Sequence, residues 1–210
     1  MSGPAGITMR AIALALVVLT AAPLSVSGQS VGQVLDLAVA HFRAGRITEA
    51  VAGFDRVAAL QPEAAPQLWQ RGIALYHAGR FEACRLQFES HRTVNPADVE
   101  NAAWHFLCVA KAESPAAARA KILPVGPDGR VPMREIDLMF RGRLEPADVL
   151  KAAAGSPSAE FYAHLYVGLY LESTGDTARG LAEIRLAASA AYARVGGYMH
   201  DVARVHLLSR

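Results

Sequence analysis

Three cation-capable side chains, Arg43, His77 and Lys111, stand 34 residues apart along the chain. Beside them lie the aromatic residues Phe42, Trp69 and Tyr76. A row of such groups has the chemistry to receive a peptide's carboxylates while the peptide's apolar side chains rest on the rings. A ligand is not the only reason for such a row, because basic residues near a helix C-terminus are favoured by its dipole. Phe42 and Tyr76 likewise have a second reading, as core residues of an amphipathic helix.

Other chemistry finds no motif. Seven histidines, at 41, 77, 91, 105, 164, 200 and 206, form no His-Glu-x-x-His array, and His105 with Cys108 is only half a metal site. Gly126 to Gly129 lacks the Lys-Ser/Thr of a phosphate loop, and Gly155-Ser156-Pro157 reads as a helix start rather than a nucleophile elbow. Glu135 and Asp137, two apart, would point to different faces of a helix. The expectation is no catalytic residue, no metal and no cofactor. Cys84 and Cys108 are too few for a disulfide scaffold or a zinc site. Cys84 occupies the place that Ala50 holds 34 residues earlier, a small packing position. A bridge between the two remains open, since neighbouring helices would carry them.

The same period of 34 governs what must position these residues. Ala38 returns as Gly72, Phe42 as Tyr76, Gly45 as Gly79, Phe54 as Phe88, Leu60 as Val94 and Pro62 as Pro96. Small, aromatic, glycine, aromatic and proline positions at this spacing describe a helix-turn-helix repeat. Small residues let the paired helices approach, the glycines end the first helix of each pair in a left-handed position, and the prolines stop the second. Two regular repeats therefore span 31–98. In such a stack the first helix of each pair lines the inner surface. Its residues would be Leu35, Val39, Phe42 and Arg43, then Trp69, Ile73, Tyr76 and His77, then Ala103, Leu107 and Lys111.

Beyond residue 98 the pattern wears. Segment 99–157 reads as degenerate repeats, because Glu113 stands where Gly45 and Gly79 stood and Ser114-Pro115 opens the next helix. Five Gly and Pro residues between Leu123 and Pro132 forbid a continuous helix, so 123–132 is a loop. Short helices should follow near Met133–Arg141 and Pro146–Ala154. Segment 158–210 holds a further repeat, with Gly168 seven residues before Gly175, as Gly72 is before Gly79. Asp176 would cap that repeat's second helix. After the break at Val195-Gly196-Gly197, Tyr198–Leu208 should form a helix that covers the end of the stack.

Residues 1–28 read as a signal peptide. Arg10 precedes an apolar run of twelve, Ala11 to Ala22, and small residues follow Pro23. Twelve is short of the roughly 20 residues that cross a bilayer, so no membrane span is expected once the leader is cleaved. A start at Met9 would give a more ordinary leader. Of the 210 residues, 52% are hydrophobic, with a net charge of +2. That charge, with no basic run, argues against nucleic acid.

The repeat positions Ala38, Gly45, Ala50, Phe54 and Pro62, with Gly72, Gly79, Phe88 and Pro96, resemble the tetratricopeptide repeat (TPR) family. His164–Tyr170 and Tyr198–Arg204 look similar to bacterial envelope lipoproteins of that family, although no lipid-attachment cysteine lies near the leader's end. The resemblance implies an all-α, right-handed helix-turn-helix solenoid with an irregular middle and a C-terminal capping helix. It also implies a non-enzymatic scaffold or adaptor, periplasmic or secreted. Such an adaptor would bind a protein or peptide, of which cell-wall enzymes and proteases are the classes implied. An incompletely polar outer face would permit a homodimer. The rival expectation is an envelope hydrolase or small-ligand-binding protein using the irregular middle. A closed pocket with convergent titratable groups would favour the rival, and an open groove lined by the first helices would favour the adaptor.

Overall fold

The computed structural model describes Met1, Gly3 and residues 30–209, so the expected leader lies, apart from those two residues, outside the described part. Among the described residues the chain is all helical, without strands. Its α-helices are α1 (Val31–Arg43), α2 (Ile47–Leu60), α3 (Trp69–His77), α4 (Phe81–His91), α5 (Val99–Ala112) and α6 (Pro115–Lys121). They continue as α7 (Met133–Phe140), α8 (Pro146–Ala153), α9 (Pro157–Ser173), α10 (Thr177–Ala187) and α11 (Ala193–Leu208). None is long and apolar enough to cross a membrane.

Local chemistry sets these boundaries. Side chains of Ser30, Asp98, Ser114, Ser156 and Asp176 accept hydrogen bonds from the first-turn amides of α1, α5, α6, α9 and α10. Each such cap contributes about 1 kcal/mol by satisfying an amide that the helix itself leaves unpaired. At the other ends, Gly45, Gly79, Gly142 and Gly175 take φ of 72°, 71°, 71° and 108°. The residue after each glycine donates its amide to a carbonyl five residues back, as from Arg46 to His41 and from Arg143 to Leu138. This left-handed closure joins α1 to α2, α3 to α4, α7 to α8 and α9 to α10. Gly142 was missed as a repeat glycine in the sequence, yet it performs the same turn.

Helices adjacent in sequence pack against one another, and α9 lies centrally against α5, α7, α8, α10 and α11. Buried residues cover α9 all round, including Phe161, Leu165, Tyr166, Leu169 and Tyr170. A helix that is apolar on every side belongs inside a protein. One continuous core runs from Ala38 in α1 to Val205 in α11, through all three sequence segments. Phe42 and Tyr76 occupy corresponding places, each buried in the last turn of α1 or α3, ahead of a glycine turn. Cys84 of α4 and Cys108 of α5 are joined by a disulfide across a Cα–Cα distance of 5.8 Å. A loop of this size, once closed, stabilises by about 3 kcal/mol through the unfolded state.

The tightest helix contact is that of α9 with α10. A Cβ added at Gly168 would lie 2.5 Å from Cγ1 of Ile184 and 2.8 Å from the carbonyl oxygen of Gly180. At Gly79 a Cβ would meet nothing within 4 Å, and only the positive φ opposes it. Gly168→Ala is therefore expected to lower the unfolding free energy by about 2–3 kcal/mol through overpacking. Gly79→Ala should cost only about 1 kcal/mol through its backbone. Urea denaturation of the two variants checks the order.

Candidate functional site

The inner face of the first three helix pairs is not an open groove, because α11 lies on it. Tyr198 stacks on Phe42 with centroids 5.4 Å apart and meets Trp69 edge-on at 5.2 Å. Further along, His206 meets His77 at 5.5 Å, and it hydrogen-bonds the Glu172 carboxylate of α9 at 2.7 Å. The backbone makes this placement possible at Gly197, whose φ of 52° and ψ of −131° interrupt α11 and redirect its longer part. A residue with a Cβ reaches such a conformation only at a cost.

The row of basic residues is thereby engaged within the chain. Arg43 pairs with Asp201 of α11 at 3.0 Å, and Lys111 lies 4.0 Å from Glu172. His77 Nδ1 hydrogen-bonds the carbonyl of Ile73 at 2.9 Å. Phe42, Ile73, Tyr76 and Leu107 are buried in the core, and Leu35 and Trp69 are half-buried. Of the expected groove residues, only Trp69 and Ile73 face the large cleft that remains.

That cleft, about 590 Å³, lies where α3, the α4–α5 turn, α5, α9 and the start of α11 converge. Its walls carry Trp69 and Ile73, His91, Asp98, Glu100, Asn101, Trp104, Tyr162, and Gly196 to Met199. The volume falls in the range of roughly 300–1,000 Å³ typical of ligand sites. Three wall residues each carry a polar atom that is buried without a hydrogen-bond partner among the described residues: Oδ1 of Asn101, Nε1 of Trp104 and the hydroxyl of Tyr198. Buried polar groups are nearly always satisfied, so three at one cleft require an explanation.

An ionic cluster closes one side of the cleft. Arg130, from the loop before α7, bonds Glu100 at 2.6 Å, Asp98 at 2.8 Å and Asp128 at 2.6 Å. The Tyr166 hydroxyl donates to the other Glu100 oxygen at 2.6 Å. Burial, with the charge of Asp98 beside it, pushes the Glu100 carboxyl above the ordinary range, against the pull of Tyr166 and Arg130. Burial also raises the Tyr162 hydroxyl to about 12 and the Tyr198 hydroxyl further, so both are neutral donors at physiological pH. The irregular loop thus has a structural task, bracing the start of α5. Among the described residues no His, Cys, Asp and Glu group is arranged to hold a metal ion.

Sequence reasoning missed Asn101, Trp104, Tyr162 and Tyr198 as site residues. One signal was available: Asn101 is a polar residue directly before the apolar run Ala102-Ala103-Trp104 of α5. Nothing local, however, reports that α11 returns to α1. No protein-family model matches the chain, and no curated protein is significantly similar to it.

Two outcomes follow from the seat of α11. Tyr198→Ala strips the cover from Phe42 and Trp69 and should lower the unfolding free energy by about 3 kcal/mol, read by denaturant titration. The second concerns His206, which burial, with the charge of Lys111 acting the same way, holds down at about 4. The unfolded imidazole takes its proton near 6.5, so between these values the unfolded state binds more protons. Stability is then full above pH 6.5 and falls as pH drops toward 4. Burial depresses His105 in the same direction, so the parent carries both contributions. In His206→Gln the decline over this window should be shallower, measured as the urea midpoint against pH.

Proposed function

We propose that this protein is a non-enzymatic, exported protein-binding module of a bacterial envelope. It is a right-handed tetratricopeptide-like solenoid drawn closed by its last helix, and a partner enters its cleft rather than a long groove. The observation that carries the reading is the set of unpartnered polar atoms on Asn101, Trp104 and Tyr198 at a cleft of about 590 Å³. Such atoms cost about 1–3 kcal/mol each when buried unpaired, a cost that a bound segment with matching groups would offset. Repeat architecture is supported by the glycine turns at 45 and 79, spaced by the sequence period, and by those at 142 and 175. The disulfide supports an oxidising compartment, in line with the leader-like pattern of residues 1–28.

A second reading, a small-ligand-binding protein, is favoured by two features: α11 covers the residues expected to line an open groove, and the loop containing Asp128 and Arg130 braces the remaining cleft from one side. Photo-crosslinking in the native host separates the two. A photoreactive residue replaces Val94 or Val195 on the cleft rim, and Leu186 on α10 serves as the comparison site; all three are exposed. Discrete protein adducts from positions 94 and 195, and none from 186, are the expected result. Adducts from 186 alone, or no adduct from either rim position, would overturn the protein-binding reading.

A further inference from the structure

The cleft holds a charge opposite to that of the basic row read from the sequence. Among the residues that line it are two carboxylates, Asp98 and Glu100, and no lysine or arginine. Two guanidinium groups beside it are already paired. Arg130 serves Asp98, Glu100 and Asp128, so three carboxylates surround one cation. Arg43, 5.9 Å from the Tyr198 ring centre, pairs with Asp201.

Aromatic residues stand among the other wall residues, Trp69, Tyr162 and Tyr198 half-buried and Trp104 buried. Ring faces are negative at their centres, so several rings with a carboxylate nearby attract an organic cation and accept its alkyl stem. The unpartnered atoms extend the match. Oδ1 of Asn101 is an acceptor for an N–H, whereas Nε1 of Trp104 and the Tyr198 hydroxyl are donors suited to a carbonyl.

From this we propose that the cleft recognises a lysine or arginine side chain presented on a peptide. The ammonium or guanidinium lies toward Asn101 and Glu100, its stem lies on the rings, and a flanking peptide carbonyl accepts from Trp104 or Tyr198. The proposal rests on the protein-binding reading above and names the group that the partner presents. A free diamine shares the cationic chemistry but has no carbonyl for the two donors.

The chain contains two tryptophans, and both line the cleft, so their indole N–H resonances are built-in reporters. The full disulfide-bonded chain is titrated with N-acetyl-lysine N-methylamide and its arginine counterpart. The comparison compounds are the blocked norleucine and glutamate analogues and 1,5-diaminopentane. Expected are saturable shifts of both indole signals, with the cationic amino acids binding about tenfold more tightly than the norleucine analogue, as one desolvated ion contact warrants. Asn101→Ala, with an otherwise unchanged spectrum, should weaken the lysine compound about fivefold. Without any substitution, raising the ionic strength from about 0.02 M to about 0.5 M should weaken it about threefold by screening.

Equal binding of the norleucine and lysine compounds overturns the cation assignment, as does tighter binding of the glutamate compound. Tighter binding of the diamine overturns the peptide source. If no compound shifts either indole while rim crosslinks to a protein persist, the cation proposal falls and the protein-binding reading stands. If the crosslinks are absent as well, both fall.

Discussion

The contact on which the architecture turns is the insertion of Tyr198 between Phe42 and Trp69. Phe42 belongs to the first described helix and Tyr198 to the last, so this contact brings the two ends of the described chain together. A stack of helix pairs otherwise leaves its terminal faces and its inner surface uncovered, and apolar surface in water is unfavourable in proportion to its area. Here α11 covers apolar surface on α1 and α3, at Phe42, Trp69 and His77. The redirection at Gly197 makes that possible, and the pairing of Arg43 with Asp201 holds the outer edge of the contact.

Closure by α11 also distributes the polar residues. Arg43 and Lys111 lie against Asp201 and Glu172 of the same chain, so their positive field is largely offset within the fold. The cleft left at the start of α11 has the reverse character, with carboxylates and aromatic rings. Its acidic wall is organised by Arg130, from a loop too rich in proline and glycine to be helical. Regular helices build the frame and carry the cleft's carboxylates, and the least regular segment holds those carboxylates in place through Arg130.

Much of the fold was legible in the residues. The glycine turns at 45, 79 and 175, the caps at Ser114, Ser156 and Asp176, and the loop at 123–132 all depend on interactions within a few residues of the chain, which is the range over which a sequence speaks directly. The turn at Gly142 escaped notice because the flanking helices are short and lack the aromatic and proline markers of the regular repeats. The disulfide was left open for a different reason: neighbouring helices bring two cysteines near, but only their rotation about the helix axes decides whether the sulfurs meet.

The candidate site was legible only in part. Of the residues expected to line a groove, Trp69 and Ile73 border the cleft, whereas Phe42, Tyr76 and Leu107 lie in the core away from it. Periodicity identifies which residues share a helix face, and it does so from spacing alone. It is silent on which distant element comes to cover that face, since the contact between Phe42 and Tyr198 spans nearly the whole described chain. The residues thus specified an all-helical chain, its turns and its inward-facing stripe by local geometry. The three-dimensional packing of α11 decided which of those residues are buried, and it leaves beside them a cleft lined by carboxylates and aromatic residues.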